Sequence, residues 1–224
     1  MPEIRATQRK ANAGKKGSAS IAIDIPKPPK EPAFVELLSQ KMAVVTTVGD
    51  PNEVLGNVYP ALYGSVFTLK FALKKSNPKG ETFKVLASRG RYPDAHRVPK
   101  NRWTIRMGLP VPEDTLTLPQ KVPGVEVKLE TWDYGACAVI LHTGPYSTEG
   151  PTIERLHNFI FDNGRVLNGE HEEWYLTRPN AKVQKTIVLY PVRAAANTAE
   201  IAGEREAAKA YYQRMTGYQL HPQG

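Results

Sequence analysis

Several common features are scarce or missing in this 224-residue sequence. A single cysteine, Cys137, excludes an intrachain disulfide and any zinc cage built from this chain's cysteines. A reducing, cytoplasmic setting is the resulting expectation, with Cys137 as an inert buried thiol. No apolar run approaches the ~18 residues of a membrane-spanning helix, so no membrane partner is expected. The start of the chain has no apolar signal segment, which argues against secretion, although its basic, acid-poor character leaves a transit peptide open. There is no Gly-x-Ser-x-Gly elbow, phosphate-cradling glycine loop or dinucleotide fingerprint. Covalent serine catalysis, nucleotide hydrolysis and Rossmann-type redox chemistry therefore lack support.

Acidic residues are also in short supply: 22 against 30 Lys and Arg, a formal charge of +8. Residues 1–30 hold seven of the basic residues against only Glu3 and Asp24, so most of the excess lies in one stretch. That stretch is rich in Ala, Gly, Ser and Lys and cannot bury enough apolar surface to offset the entropy of ordering. Residues 1–32 are read as a disordered basic tail. Its expected role is at most a weak electrostatic contact with nucleic acid or an anionic surface. The rest of the chain lacks the concentrated positive face of a nucleic-acid-binding fold.

What is present is a core. The apolar fraction, 41%, can supply it, and 224 residues suffice for one large domain or two small ones; the folded part is placed at residues 33–194. FVELL and MAVVTTVG read as strands. Gly49-Asp50-Pro51-Asn52 combines turn and helix-start chemistry. The helix it opens runs to about Lys75, with Val58, Ala61, Leu62, Ser65, Val66, Leu69, Ala72 and Leu73 on one stripe. Tyr59 and Tyr63 share an adjacent face. FKVLAS reads as a short strand, RGRYPDAHRVPKNR as a loop, and RWTIRMGLPV as a further strand. A peripheral helix, or a segment that orders on a partner, is expected from Ala194 to about Met215, with residues 221–224 frayed.

The second half repeats the first. AVVTTVG (Ala43 to Gly49) and AVILHTG (Ala138 to Gly144) align at an offset of 95 residues. Each is followed by a helix with a one-sided apolar stripe, in the second case Ile153, Leu156, His157, Ile160 and Phe161. Each half closes on an apolar-Pro-Val strand, at Leu109-Pro110-Val111 and Tyr190-Pro191-Val192. The expected architecture is α+β: duplicated strand–helix–strand–strand units forming antiparallel sheets with a central ligand cleft.

The most informative residues are Glu173-Trp174-Tyr175-Leu176, a carboxylate inside a strand of large apolar groups. Burying that charge costs several kcal/mol unless a partner compensates. Alternation puts Glu173 and Tyr175 on one face and Glu172 and Trp174 on the other. The helix layer is expected to cover the bulkier Trp174 face, aiming Glu173 into the cleft. There it would neutralise a cationic ligand or act as a general base. A solvated glutamate on an open sheet face is the equal alternative. Tyr59, Tyr63, Trp103, Tyr146 and Tyr175 supply aromatic walls suited to planar or cationic ligands. His142, His157 and His171 match no linear metal motif, so structural or surface roles and no metal are expected.

The ordered set AVILHTGPY, PTIERLHNFI, GEHEEWYLTRP and KTIVLYPV resembles the GyrI-like small-molecule-binding family, whose domains also serve as effector-binding modules of multidrug-sensing transcription regulators. Glu173 stands where the family places an acidic pocket residue. The first half, VTTVGDPNEVLGNVYPALYGSVFTLKFALK, resembles a stand-alone subgroup associated with hydrolysis of cyclopropanoid DNA-alkylating compounds. The resemblance implies a central pair, Trp103 and Glu173, ringed by tyrosines, and no cofactor. The sequence departs from the subgroup before the tryptophan, with Tyr92-Pro93-Asp94-Ala95-His96 and a longer basic insertion. Binding without turnover, as a sensor or sequestering module acting through a partner, stays open beside hydrolysis. The oligomeric state has no signature.

Overall fold

The structure is a computed structural model that describes residues 24–25, 27–80, 82–95, 97–178 and 180–219, with side chains up to residue 210. Most of the expected basic tail and the expected fraying of residues 221–224 lie outside the described residues. In chain order the elements are β1 (Ala33–Leu37), β2 (Gln40–Val48), α1 (Pro51–Ser76), β3 (Ser88–Tyr92), β4 (Thr104–Pro110), β5 (Lys128–Trp132), β6 (Gly135–Thr143), α2 (Gly150–Asp162), β7 (Arg165–Leu167), β8 (His171–Tyr175), β9 (Lys185–Ala194) and α3 (Thr198–Gln219). Among the described residues no helix is long and apolar enough to cross a membrane. The described chain divides into two compact units, an N-terminal one over residues 24–25 and 37–134 and a C-terminal one over residues 27–36 and 135–219.

In the N-terminal unit β2 is central. It pairs antiparallel with β4 on one side and β5 on the other, and β3 pairs antiparallel with β4. Asp50 caps α1 by accepting from the Asn52 amide at 2.9 Å, and Pro51 needs no amide hydrogen at the first helical position. Val58, Ala61, Leu62, Ser65 and Val66 bury one face of α1. The expected stripe continues to Leu73, yet Ala72 and Leu73 are exposed. The 26-residue helix is about 39 Å long, whereas the nine residues of β2 span about 30 Å. Its last turns therefore outrun the sheet.

FKVLAS is not a strand up to its last residue: residues 82–87 are irregular, and β3 begins at Ser88 and runs on through Arg89 to Tyr92, the start of the stretch that reads as a loop. The reason is its two arginines, which look solvated in sequence. Arg89 is buried and donates to the Tyr134 hydroxyl at 2.8 Å. Arg91 stacks 4.1 Å over the Trp132 ring.

In the C-terminal unit β6 and β8 flank β9 in antiparallel pairs, β1 lies beyond β6, and β7 pairs with the last residues of β9. Helix α2 buries Ile153, Leu156, His157, Ile160 and Phe161, the stripe expected from sequence. These pack on Ala138 and Ile140 of β6 and on Val188, Tyr190 and Val192 of β9. The expected terminal helix is α3, which adds Ala208 and Ile201 to that core.

The fold is α+β with antiparallel strands, and the duplication is written in the register. Met42 faces Pro110 in one unit and Cys137 faces Pro191 in the other. Gly49 and Gly144 both have φ of 144°, and their amides donate at 3.0 Å to the carbonyls of Trp103 and Gln184. Gly90 opposite Met107 corresponds to Glu173 opposite Val188, so β3 (SRGRY) and β8 (HEEWY) are equivalent strands.

Candidate functional site

Register fixes which way Glu173 points. It lies directly opposite Val188, a residue of the core beneath α2, and residues opposite one another share a face. Glu173 and Tyr175 are therefore on the α2 side of the sheet. This corrects the expectation that α2 covers the Trp174 face. Glu172 and Trp174 point the other way, fully buried, with the Trp174 indole N–H donating to Glu172 Oε1 at 2.5 Å. Side-chain bulk misjudged the face because Trp174 brings its own acceptor, Glu172, and is buried with it on the face away from α2.

Glu173 sits in a polar cluster at the edge of this apolar layer. Its side chain is 13% exposed and that of His171 is 9% exposed. His171 Nε2 lies 2.9 Å from Glu173 Oε1, and His171 Nδ1 lies 2.7 Å from the Tyr190 hydroxyl. Glu149, just before α2 and 5% exposed, joins from the opposite element. One atom each from Glu149, His171 and Glu173 lie within 4.8 Å of one another.

The two carboxyls divide their roles. Burial raises Glu149 well above the usual carboxylate range, and the charge of Glu173 and a hydrogen bond to it push the same way. Burial also opposes ionisation of Glu173. Hydrogen bonding and attraction by His171, with hydrogen bonds from Tyr175 and Glu149, outweigh it and hold the carboxyl below its ordinary value. Glu149 thus carries the proton and donates, and Glu173 carries the charge. Glu149 Oε1 is buried with no hydrogen-bond partner among the described residues.

Aromatic groups surround this pair. Tyr146 stands edge-on to Tyr175, ring centroids 5.7 Å apart. Burial first, then the charge of Glu173 and the proximity of the Glu149 carboxyl, raise the Tyr146 phenol, which stays a donor. His157 packs 4.6 Å from the Tyr190 ring. Burial lowers it to about 3, helped by His171, so its ring is neutral. His142 has the structural role expected of it. Its Nε2 meets the Pro145 carbonyl at 3.1 Å, which can only accept, so Nδ1 accepts from the Thr152 hydroxyl at 2.9 Å. The ring ties the loop carrying Tyr146 and Glu149 to the start of α2.

Of the residues singled out in sequence, Glu173, Tyr146 and Tyr175 come together in the C-terminal unit. Tyr59, Tyr63 and Trp103 lie in the N-terminal unit. Tyr59 and Tyr63 begin a row of rings along α1 that continues through Phe67 and Phe71 at 6.2 Å spacing. Trp103 is 8% exposed, donates its indole N–H to the Val98 carbonyl at 3.3 Å and meets Tyr92 edge-on at 5.9 Å. Sequence reasoning passed over Glu149 and treated His171 as structural or surface. Glu149 sits among Gly and Pro in a segment that reads as a turn. The signal available was an acidic residue at the start of a helix whose next residues are apolar.

A repeated α+β scaffold that holds an ionised carboxylate among hydroxyls and imidazoles, beside a dry core, is built as a ligand-binding module. The chain belongs to the GyrI-like small molecule binding domain family, whose model matches residues 20–192. No curated protein matches the sequence. Among solved structures, an uncharacterized conserved protein from Listeria innocua aligns with a TM-score of 0.64 and 23% identity, covering 74% of this chain and 94% of that one. A hydrolase from Listeria innocua aligns with a TM-score of 0.62 and 21% identity, covering 75% and 94%. The C-terminal domain of EcmrR aligns with a TM-score of 0.52 and 15% identity, covering 74% and 98%. At these identities the likeness is one of fold.

Proposed function

We propose that this domain binds aromatic or hydrophobic organic monocations, with Glu173 as the counter-charge. The observation that carries the proposal is the single negative charge kept on a nearly buried carboxylate pair, beside the rings of Tyr146 and Tyr175. A monocation neutralises that charge, and ring faces favour a delocalised positive partner. The test is fluorescence titration with rhodamine 6G. Glu173→Gln keeps the shape and removes the charge, and it should weaken binding roughly tenfold or more, about 1.4 kcal/mol. Equal affinity in the variant would overturn the assignment. The proposed contacts of Tyr59, Tyr63 and Trp103 are tested one at a time, by Phe substitution, in the same titration.

A second reading, hydrolysis of strained electrophiles such as cyclopropanoid alkylators, draws on the neutral Glu149 beside the ionised Glu173. A protein of the same fold is called a hydrolase. In this reading Glu173 takes a proton from water as its oxygen bonds to the strained carbon. The ring bond breaks, and Glu149 gives its proton to the fragment that receives the electron pair. Passing the proton from Glu173 back to Glu149 resets the pair. Mass spectrometry of a cyclopropanoid substrate tests it. A ring-opened, water-added product formed over many turnovers and lost in Glu173→Gln supports turnover. Dye binding without any product leaves a sensor or sequestering module.

A further inference from the structure

Binding of a monocation leaves one feature of the cluster unused. Glu149 Oε1 is buried and has no hydrogen-bond partner among the described residues, and one carboxylate oxygen of Glu149 lies within 4.8 Å of donor atoms of His171 and Glu173. An acceptor in that condition costs about 1–3 kcal/mol unless something else occupies it. We propose that Glu149, His171 and Glu173 bind one divalent transition-metal ion, zinc or an ion of similar preference, and that this metal and an organic monocation are alternative occupants of one site.

The donor set fits such an ion. One imidazole nitrogen with two carboxylate oxygens suits zinc, manganese or iron, whereas magnesium and calcium favour oxygen alone. Ligands about 2.0 Å from a tetrahedral zinc lie about 3.3 Å from one another. The three donor atoms already lie within 4.8 Å, so small side-chain rotations close the set. Three protein ligands leave a fourth position for water or an anionic ligand.

The surroundings are built for ligation as well. The Tyr190 hydroxyl engages His171 Nδ1, which fixes the ring and leaves Nε2 facing the carboxylates. This is the outer-shell arrangement of metal-bound histidines. Tyr175 hydrogen-bonds Glu173 in the same way. The ligands come from two separate stretches of chain, which is why no linear metal motif announces them and the sequence reading expected no metal.

The experiment uses the full-length chain freed of metal with a chelator. Zinc chloride is titrated by calorimetry, and Co²⁺ uptake is followed by its visible absorption. One ion per chain is expected, with the intensified Co²⁺ bands of a four- or five-coordinate site. Glu149→Gln and His171→Gln should each remove that uptake. Tyr190→Phe, which leaves all three ligands in place, should weaken it 10–100-fold. Zinc should displace rhodamine 6G from the wild-type protein. Absence of one-to-one uptake by the wild type overturns the proposal. So does uptake that survives both Glu149→Gln and His171→Gln, which would put the metal elsewhere. A protein that binds the dye and no metal overturns this site alone. One that takes up the metal and no dye overturns the organic-cation reading and the shared occupancy, and leaves the metal site.

Discussion

Glu173 stays charged because His171 stands beside it, and that dependence is measurable. Removing the hydrogen-bonding partner of a nearly buried carboxylate leaves that charge uncompensated. His171→Ala should therefore cost roughly 3 kcal/mol in urea unfolding at neutral pH. The same change should raise the Glu173 carboxyl and weaken dye binding. A cost below about 1 kcal/mol would mean that water, not the imidazole, supports the charge. His157 gives the pH dependence. Its folded value, about 3, lies below the ordinary imidazole value of 6.5, so the unfolded chain takes up the proton first. Stability attached to this ring is complete above pH 6.5 and declines as pH falls toward 3, by at most about 1.4 kcal/mol per pH unit. His157→Leu should flatten the acid limb of the stability curve in that window. An unchanged limb would show that His157 does not titrate differently in the folded chain.

The two helices and their strands put the duplication to a test of equivalence. Gly49 and Gly144 share a backbone conformation that L side chains rarely adopt, so alanine is strained at both. The space differs: a Cβ at Gly49 would meet Val54 Cγ1 at 2.6 Å, whereas at Gly144 the nearest atom is Thr148 Oγ1 at 3.1 Å. Gly49→Ala should lower the melting temperature more than Gly144→Ala, and the opposite order would show that the turn before α2 is the more constrained. Most elements were legible because periodicity decides them: the α2 stripe, the paired apolar-Pro-Val strands and the turn before α1 all read correctly. β3 was not legible, because its stability comes from Arg89 and Arg91 finding aromatic partners more than 40 positions away. The site was half legible. Glu173 stood out as a charge among apolar neighbours, and alternation grouped it with Tyr175. Which face α2 covers, and the arrival of Glu149 from another element, depend on tertiary register that no local pattern encodes.

At the scale of the whole chain, charge and chemistry are separated in sequence. The excess of Lys and Arg in residues 1–30 lies before the matched domain's strands, and the candidate site lies within residues 146–190. If the basic stretch acts as an electrostatic tether, DNA binding by the full chain should fall steeply with salt and disappear when residues 1–30 are deleted, with dye affinity unchanged. DNA binding that persists after the deletion would locate the contact in the folded domain. The register holds a longer-lived consequence. Where the second copy of the repeat has Glu173, the first has Gly90. A protein built from two copies of one unit began with two equivalent strand positions and placed its charge at one of them. The uncharged copy can then be conserved for packing while ligand preference drifts through a handful of positions in the other. Relatives that differ in what they bind should therefore diverge unevenly, faster in the half that carries the acid than in its twin.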